Sequence, residues 1–261
     1  INKYLYYCIM VNKLVSLTAG IFLTASSLLA TGQNPVVKEV EQDLAFEEIN
    51  SYLKQHTPEF SLDYFSTLET IFGVDGAETA LEKSYDFIEQ FKDRFKPHKN
   101  RGYGEAKDFI ETFESVLEKN NLVARRSLYL NESLSQNKGI ACFHKSLLAV
   151  ELSKEYDFDI RPIVLGDHVT VRYESPDLDT AFNLEANEGK IKSDDFYKTV
   201  FSIDDEMVKN GSFLRSLDDK EAIGLLLRTF SIEYFNSQQF DKAIPYLKQS
   251  YSMDTLGFKQ L

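Results

Sequence analysis

The chain has 261 residues, of which 43% are hydrophobic and 13% aromatic, so it can bury a sizeable core and is too apolar for a disordered chain. Its two cysteines are too few for a disulfide-stabilised scaffold. Asp and Glu outnumber Lys and Arg by 41 to 29, and the formal charge of −12 makes nucleic acid an unfavourable partner.

The first 32 residues are arranged like an export signal. Lys13 supplies a positive charge directly before the apolar run of residues 14–30, and residues 30–32 are small, as at a cleavage site. We therefore expect residues 1–32 to be a signal peptide. The mature chain is expected to be periplasmic or secreted, with no membrane partner after cleavage.

The first methionine is Met10, and residues 1–9 are expected to lie upstream of the true start. An uncleaved membrane anchor is the alternative, although an apolar run this short, with several hydroxyl side chains, is a poor membrane span. Cleavage would remove Cys8 and leave Cys142 as a free thiol, because a single cysteine has no intramolecular disulfide partner.

Residues 36–132 have the periodicity of helices. Apolar residues recur at intervals of three and four, and segments with Gly or Pro separate the groups. The segment is therefore expected to be all-helical. The periodic positions fall into three groups, which are Leu44, Phe46, Ile49 and Leu53; Leu81, Tyr85, Ile88 and Phe91; and Phe109, Phe113, Val116 and Leu117.

The pattern changes after Gly139. Residues 142–156 form a predicted helix with a broad apolar face, and three short runs typical of strands follow it, at 160–165, 168–174 and 181–186. From Asp218 the chain is again helical to its end. A helix that leads into antiparallel strands predicts an α+β fold with a small sheet.

Cysteine, histidine and an acid or amide occur in this segment in an order that permits nucleophilic catalysis. Cys142 is at the start of the predicted helix, where the helix dipole and unpaired backbone N–H groups favour the thiolate. Strand alternation places His168 on the more polar face of the second strand. On the third strand, Asn183 and Glu185 share one face, so either side chain could reach the imidazole ring.

This order resembles the transglutaminase-like core, a relative of the papain-type cysteine peptidases. The similarity is greater to the bacterial SirB-type proteins, which carry TPR helices behind that core. Residues 127–197 hold the resemblance. Its motifs are Leu130 to Leu134, Lys138-Gly139, Cys142, Ser146-Leu147-Leu148, Pro162-Ile163-Val164, Gly166-Asp167-His168-Val169, Arg172, Asn183-Leu184-Glu185, Gly189 and Phe196-Tyr197.

The resemblance implies a role for each matching residue. Cys142 would be the nucleophile, His168 its base and Glu185 the acid that orients the imidazole, with Asn183 as the alternative. It also implies a transglutaminase-like core at 133–215, between the helical region and the C-terminal helices. No cofactor or metal is implied.

The C-terminal segment 218–261 has the spacing of one TPR-like helix pair. One such pair cannot bury its own apolar face, so we expect it to pack on the core or on a protein partner. The residues that carry the spacing are Leu227, Tyr234, Phe240, Ala243, Ile244, Leu247 and Asp254.

The sequence leaves three functions open. The first is an exported cysteine enzyme that hydrolyses a peptide or protein amide, or transfers its acyl group, through a thioester. The second is a non-catalytic scaffold or interaction module with a degenerate core, and the third is a purely helical adaptor with no strands in 160–186. Gln136 is a candidate oxyanion donor, whereas His144, two residues after Cys142, is too weak a signal for a metal site.

Overall fold

A computed structural model describes residues 44–98, 102–122, 129–130, 134, 140–165, 168–175, 180–186 and 188–254. The predicted signal peptide lies outside these residues, and so does Gln136. Among the helices of the described residues, none has the length and apolar character needed to span a membrane.

The described part of the N-terminal region is helical, as predicted. Ser61 caps the second helix, because its hydroxyl accepts a hydrogen bond from the Tyr64 N–H at 3.3 Å. The third and fourth helices pack through edge-to-face phenylalanine rings, such as Phe91 and Phe109 with centroids 5.1 Å apart. The helices are α1 (Leu44–Gln55), α2 (Leu62–Phe72), α3 (Ala77–Arg94) and α4 (Tyr103–Lys119).

Helix α5 (Cys142–Glu155) connects the two halves of the core. It contacts α2 and α3 as well as the first two strands of the sheet. Leu147, Leu148 and Leu152 are fully buried, which explains why this helix is apolar around most of its circumference.

The sheet that follows α5 is an antiparallel meander in which each strand pairs with its neighbour in sequence. The strands are β1 (Ile160–Leu165), β2 (His168–Ser175), β3 (Thr180–Glu185) and β4 (Lys190–Lys192).

Strand alternation gives the sheet two different apolar faces. Val171 and Tyr173 belong to the main core cluster with the leucines of α5, whereas Leu165 packs with Tyr197 in a second cluster. His168 is opposite Leu165 in the β1–β2 register and therefore shares the second face.

In the described part of the chain, four helices follow the sheet. A close approach joins the last two, because a Cβ at Gly224 would lie 3.2 Å from Met253 Cβ and 3.3 Å from the Ser250 carbonyl oxygen. A side chain at position 224 would therefore require its neighbours to move by a few tenths of an ångström. The helices are α6 (Asp194–Phe201), α7 (Asp205–Lys209), α8 (Asp219–Asn236) and α9 (Phe240–Met253).

The α8–α9 pair packs against the N-terminal helices. Phe230 of α8 stacks on Phe72 of α2 with ring centroids 4.1 Å apart and planes 7° apart. Tyr246 of α9 meets Phe72 edge-on at 5.6 Å. Part of the apolar face of this pair is therefore buried within the molecule.

The structure confirms the predicted α+β class with a small antiparallel sheet. It matches the predicted strand 160–165 and adds β4, which the sequence analysis did not predict. The strands within 160–186 show that the purely helical alternative is wrong. The transglutaminase-like core and the TPR-like pair stay predictions.

Leu148→Ala is expected to lower the free energy of unfolding by about 2–5 kcal/mol, because it leaves a cavity where α5 is fully buried. Leu44→Ala is the matched control, since Leu44 is 76% exposed and its loss should change stability by less than about 0.5 kcal/mol. Urea unfolding followed by circular dichroism measures both. Equal losses in the two variants would contradict the assigned core.

Candidate active site

Cys142 is the first residue of α5, after the extended residue Ala141. At this position its backbone N–H has no acceptor within the helix and lies at the positive end of the helix dipole. The half-buried side chain packs against Val164, Val169 and Leu217. The thiol is thus held at a helix N-terminus with apolar walls around it.

His168 is the first residue of β2, and its ring is fixed on two sides. One face lies parallel to Phe201 of α6, with centroids 5.7 Å apart and planes 7° apart. At the ring edge, Nε2 is 2.8 Å from Glu185 Oε2. Because an ionised carboxylate only accepts hydrogen bonds, Nε2 carries a proton in this contact.

The Cys142 thiol and the His168 side chain shift each other's pKa, both as hydrogen-bond partners and through their charges. With Nε2 engaged by Glu185, Nδ1 is the ring nitrogen left for the sulfur atom. The structure therefore brings Cys142, His168 and Glu185 together as a chain of contacts from sulfur to imidazole to carboxylate.

The electrostatics of this chain favour a charged pair. Burial of the thiol raises its pKa, but the hydrogen bond with His168, the imidazolium charge and the Val169 N–H outweigh that effect, so the pKa of Cys142 lies below its usual value. Burial lowers the pKa of His168, yet its contacts with Cys142 and Glu185 raise it overall. Both shifts stabilise a thiolate beside an imidazolium.

Glu185 is buried, and its Oε2 atom accepts a second hydrogen bond. The Tyr197 hydroxyl donates to it at 2.9 Å. Burial and the charge of Glu185 raise the pKa of Tyr197, so the phenol stays protonated and remains a donor. Tyr197 belongs to the motifs of the resemblance, which imply no role for it in the site.

Asn183 lies on the same face of β3 as Glu185 but has different hydrogen-bond partners. Its side-chain oxygen accepts from Arg172 Nε at 2.8 Å, and its amide nitrogen donates to Asp194 Oδ1 at 2.6 Å. The reason is the register, in which Asn183 is directly opposite Arg172 while His168 lies further along β2. Glu185, and not the alternative Asn183, is the residue on the His168 ring.

Lys145 is a charged residue near the site that the sequence analysis missed. It is fully buried one turn after Cys142, and its Nζ donates to the Ala186 carbonyl at 3.2 Å and to Glu114 Oε2 at 3.4 Å. Burial lowers its pKa, opposed by Glu114 and Glu185. The sequence feature that could have pointed to Lys145 is a lysine among the apolar residues of α5. Its contact holds the chain just after Glu185.

His144 is not one of the groups that form the Cys142–His168–Glu185 site. It is buried with Nε2 3.9 Å from Glu69 Oε1, and burial lowers its pKa to about 3, so the ring is neutral. Within the described ranges, no three His, Cys, Asp or Glu side chains are grouped as a metal would require.

No protein-family model matches the chain, and neither does any curated protein or solved structure. Function is therefore inferred from the geometry of the site.

His168→Ala is expected to move the midpoint of the pH dependence of Cys142 alkylation upward, to about the value of 8.5 of a free thiol. The imidazolium that favours the thiolate is lost, so thiolate reactivity that persists below this pH in the unaltered protein disappears. Iodoacetamide alkylation rates across pH, in a Cys8→Ser background, measure the midpoint.

His56→Ala is the matched control, because His56 is exposed and bonds only locally, to the Tyr52 carbonyl. It should leave the midpoint unchanged. An ordinary thiol midpoint in the unaltered protein, insensitive to His168→Ala, would show that Cys142 is a structural residue.

Proposed function

We propose that this chain is a cysteine enzyme of transglutaminase-like type, which acts on a peptide or protein amide through a thioester. The observation that carries the proposal is the contact chain of Cys142, His168 and Glu185, with Nε2 of the imidazole 2.8 Å from the carboxylate. Nucleophile, base and orienting acid are the three roles that acyl transfer through sulfur requires.

In the first half of the reaction, the Cys142 thiolate attacks the amide carbonyl carbon and a C–S bond forms. The carbonyl electrons move to oxygen, and the Cys142 backbone N–H is a suitable donor to that oxyanion because it has no acceptor within the helix. When the tetrahedral intermediate collapses, the C–N bond breaks and the His168 imidazolium gives its proton to the leaving amine. The acyl group is now a thioester.

In the second half, water or a primary amine attacks the thioester carbon. Neutral His168 takes the proton of the attacking group, and the C–S bond breaks to return the Cys142 thiolate. Water yields hydrolysis and an amine yields acyl transfer. Throughout, Glu185 holds Nε2–H, so the nitrogen that faces the sulfur is the one that exchanges the proton.

The proposed place of action is the periplasm or the cell exterior. This proposal is supported by the export-signal pattern of residues 1–32. The acidic net charge agrees with a peptide or protein substrate rather than nucleic acid.

A non-catalytic interaction module is the second candidate. The observation that favours it is the outer surface of α9, where the large apolar side chains Phe240, Ile244 and Tyr251 are exposed. In this alternative the TPR-like pair holds a protein partner and the core only supports it.

The test is turnover of p-nitrophenyl acetate, an activated ester that acylates a reactive thiolate whatever the natural substrate is. Nitrophenolate release should exceed one equivalent per chain and should lead to an acetyl group on Cys142, detected by intact mass. Cys142→Ser should abolish this, and His168→Ala should slow it by about 10²–10⁴-fold. His56→Ala is again the control.

Added primary amine distinguishes the two outcomes of the second half. Acetylated amine in the product indicates acyl transfer, whereas acetate alone indicates hydrolysis. Release that is the same in the unaltered protein and in Cys142→Ser would contradict the enzyme proposal and favour the interaction module.

A further inference from the structure

Two donors converge on one oxygen atom of Glu185. His168 Nε2 is 2.8 Å from Oε2, and the Tyr197 hydroxyl donates to the same atom at 2.9 Å. A carboxylate that is buried away from water depends on such donors to remain charged. The phenol therefore contributes directly to the charge that faces the imidazole.

Tyr197 is built into this position. Its side chain is only 1% exposed and packs with Ile163 and Leu165 on the second face of the sheet. Burial raises the pKa of Tyr197, and the Thr170 hydroxyl, which lies on the same face of β2, opposes this shift. The Tyr197 hydroxyl is thus surrounded by sheet residues and aimed at the site.

The helix that carries Tyr197 is tied to the sheet at its first turn. Asp194 Oδ1 accepts from Arg172 and from the Asn183 amide, both at 2.6 Å. Ser193 caps the same turn by accepting from the Phe196 N–H. These contacts fix the position of α6 relative to the sheet, and with it the position of the Tyr197 phenol.

We propose that Tyr197 is a positioning residue that holds the Glu185 carboxylate on the His168 imidazole, and that the Arg172–Asn183–Asp194 link fixes the helix carrying it. The inference rests on the proposed function of the site. It also gives Asn183 a different role from the one that the sequence left open, which was to orient the His168 ring.

Tyr197 acts within a cluster of coupled charges. The groups that face Glu185 and the phenol come from β2, α5, α4 and the β3–β4 turn, and they are His168, Cys142, Lys145, Glu114 and Glu188. A donor to Glu185 stabilises the cluster in its more deprotonated form. Removal of that donor weakens the carboxylate form of Glu185, whose contact raises the pKa of His168. The imidazolium that lowers the pKa of Cys142 is then less favoured, so less Cys142 is thiolate at a given pH.

Tyr197→Phe in a Cys8→Ser background tests the proposal, with the iodoacetamide alkylation rate of Cys142 measured across pH. The midpoint should rise by about one unit, as expected for loss of one hydrogen bond to a charged group. The rate at high pH, where all of the thiol is ionised, should stay within about twofold of the unaltered protein. A role in packing alone would leave the midpoint where it is.

Tyr64→Phe is the matched control, because Tyr64 is a buried tyrosine that packs edge-on against Tyr52 in the N-terminal helices. It should not move the midpoint. Asp194→Ala is a second test that leaves the phenol in place and removes a half-exposed side chain. It should shift the midpoint in the same direction as Tyr197→Phe.

An unchanged midpoint in a folded Tyr197→Phe variant overturns the proposal. If that variant does not fold by circular dichroism, an unchanged midpoint in Asp194→Ala overturns it. Alkylation needs no substrate, so this result is separate from the turnover of p-nitrophenyl acetate that tests the enzyme proposal.

Discussion

The charge of Glu185 is buried between an imidazole and a phenol, and the rest of the site depends on it. A buried carboxylate is costly unless it is paired, and here the pairing partners also fix the ring of His168 and leave its other nitrogen for sulfur. The pKa of Cys142 is lowered by its hydrogen bond with His168 and by the imidazolium charge, and Glu185 is one of the partners that raise the pKa of His168. If that carboxylate were neutral, the imidazolium beside the thiol would lose one of the two partners that stabilise it.

The fold supplies this arrangement from three directions. Helix α5 brings the thiol, the sheet brings the imidazole and the carboxylate, and α6 brings Phe201 and Tyr197 against them. The buried Lys145 holds the chain after Glu185, and the link from Arg172 to Asp194 holds α6. Each element is fixed by contacts outside the site, so the reacting groups do not have to organise themselves when substrate binds.

Much of the fold could be predicted because helical and strand periodicity are local properties. Strand β1 and helix α5 were found from alternation and spacing, whereas β4 has one apolar residue between two lysines and gives no such signal. The sequence favours Glu185 over Asn183 as the orienting group, but strand alternation does not separate them, since both side chains lie on one face of the strand. The pairing of Arg172 with Asn183 decides between them, and that register is set by tertiary packing.

The most direct test of the central claim is nuclear magnetic resonance titration of the His168 ring nitrogens, assigned by comparison with His168→Ala. The account predicts an imidazolium that persists well above the ordinary histidine pKa of about 6.5 and that loses this property in both Cys142→Ser and Glu185→Gln. A ring that titrates at the ordinary value and is indifferent to both substitutions would contradict it.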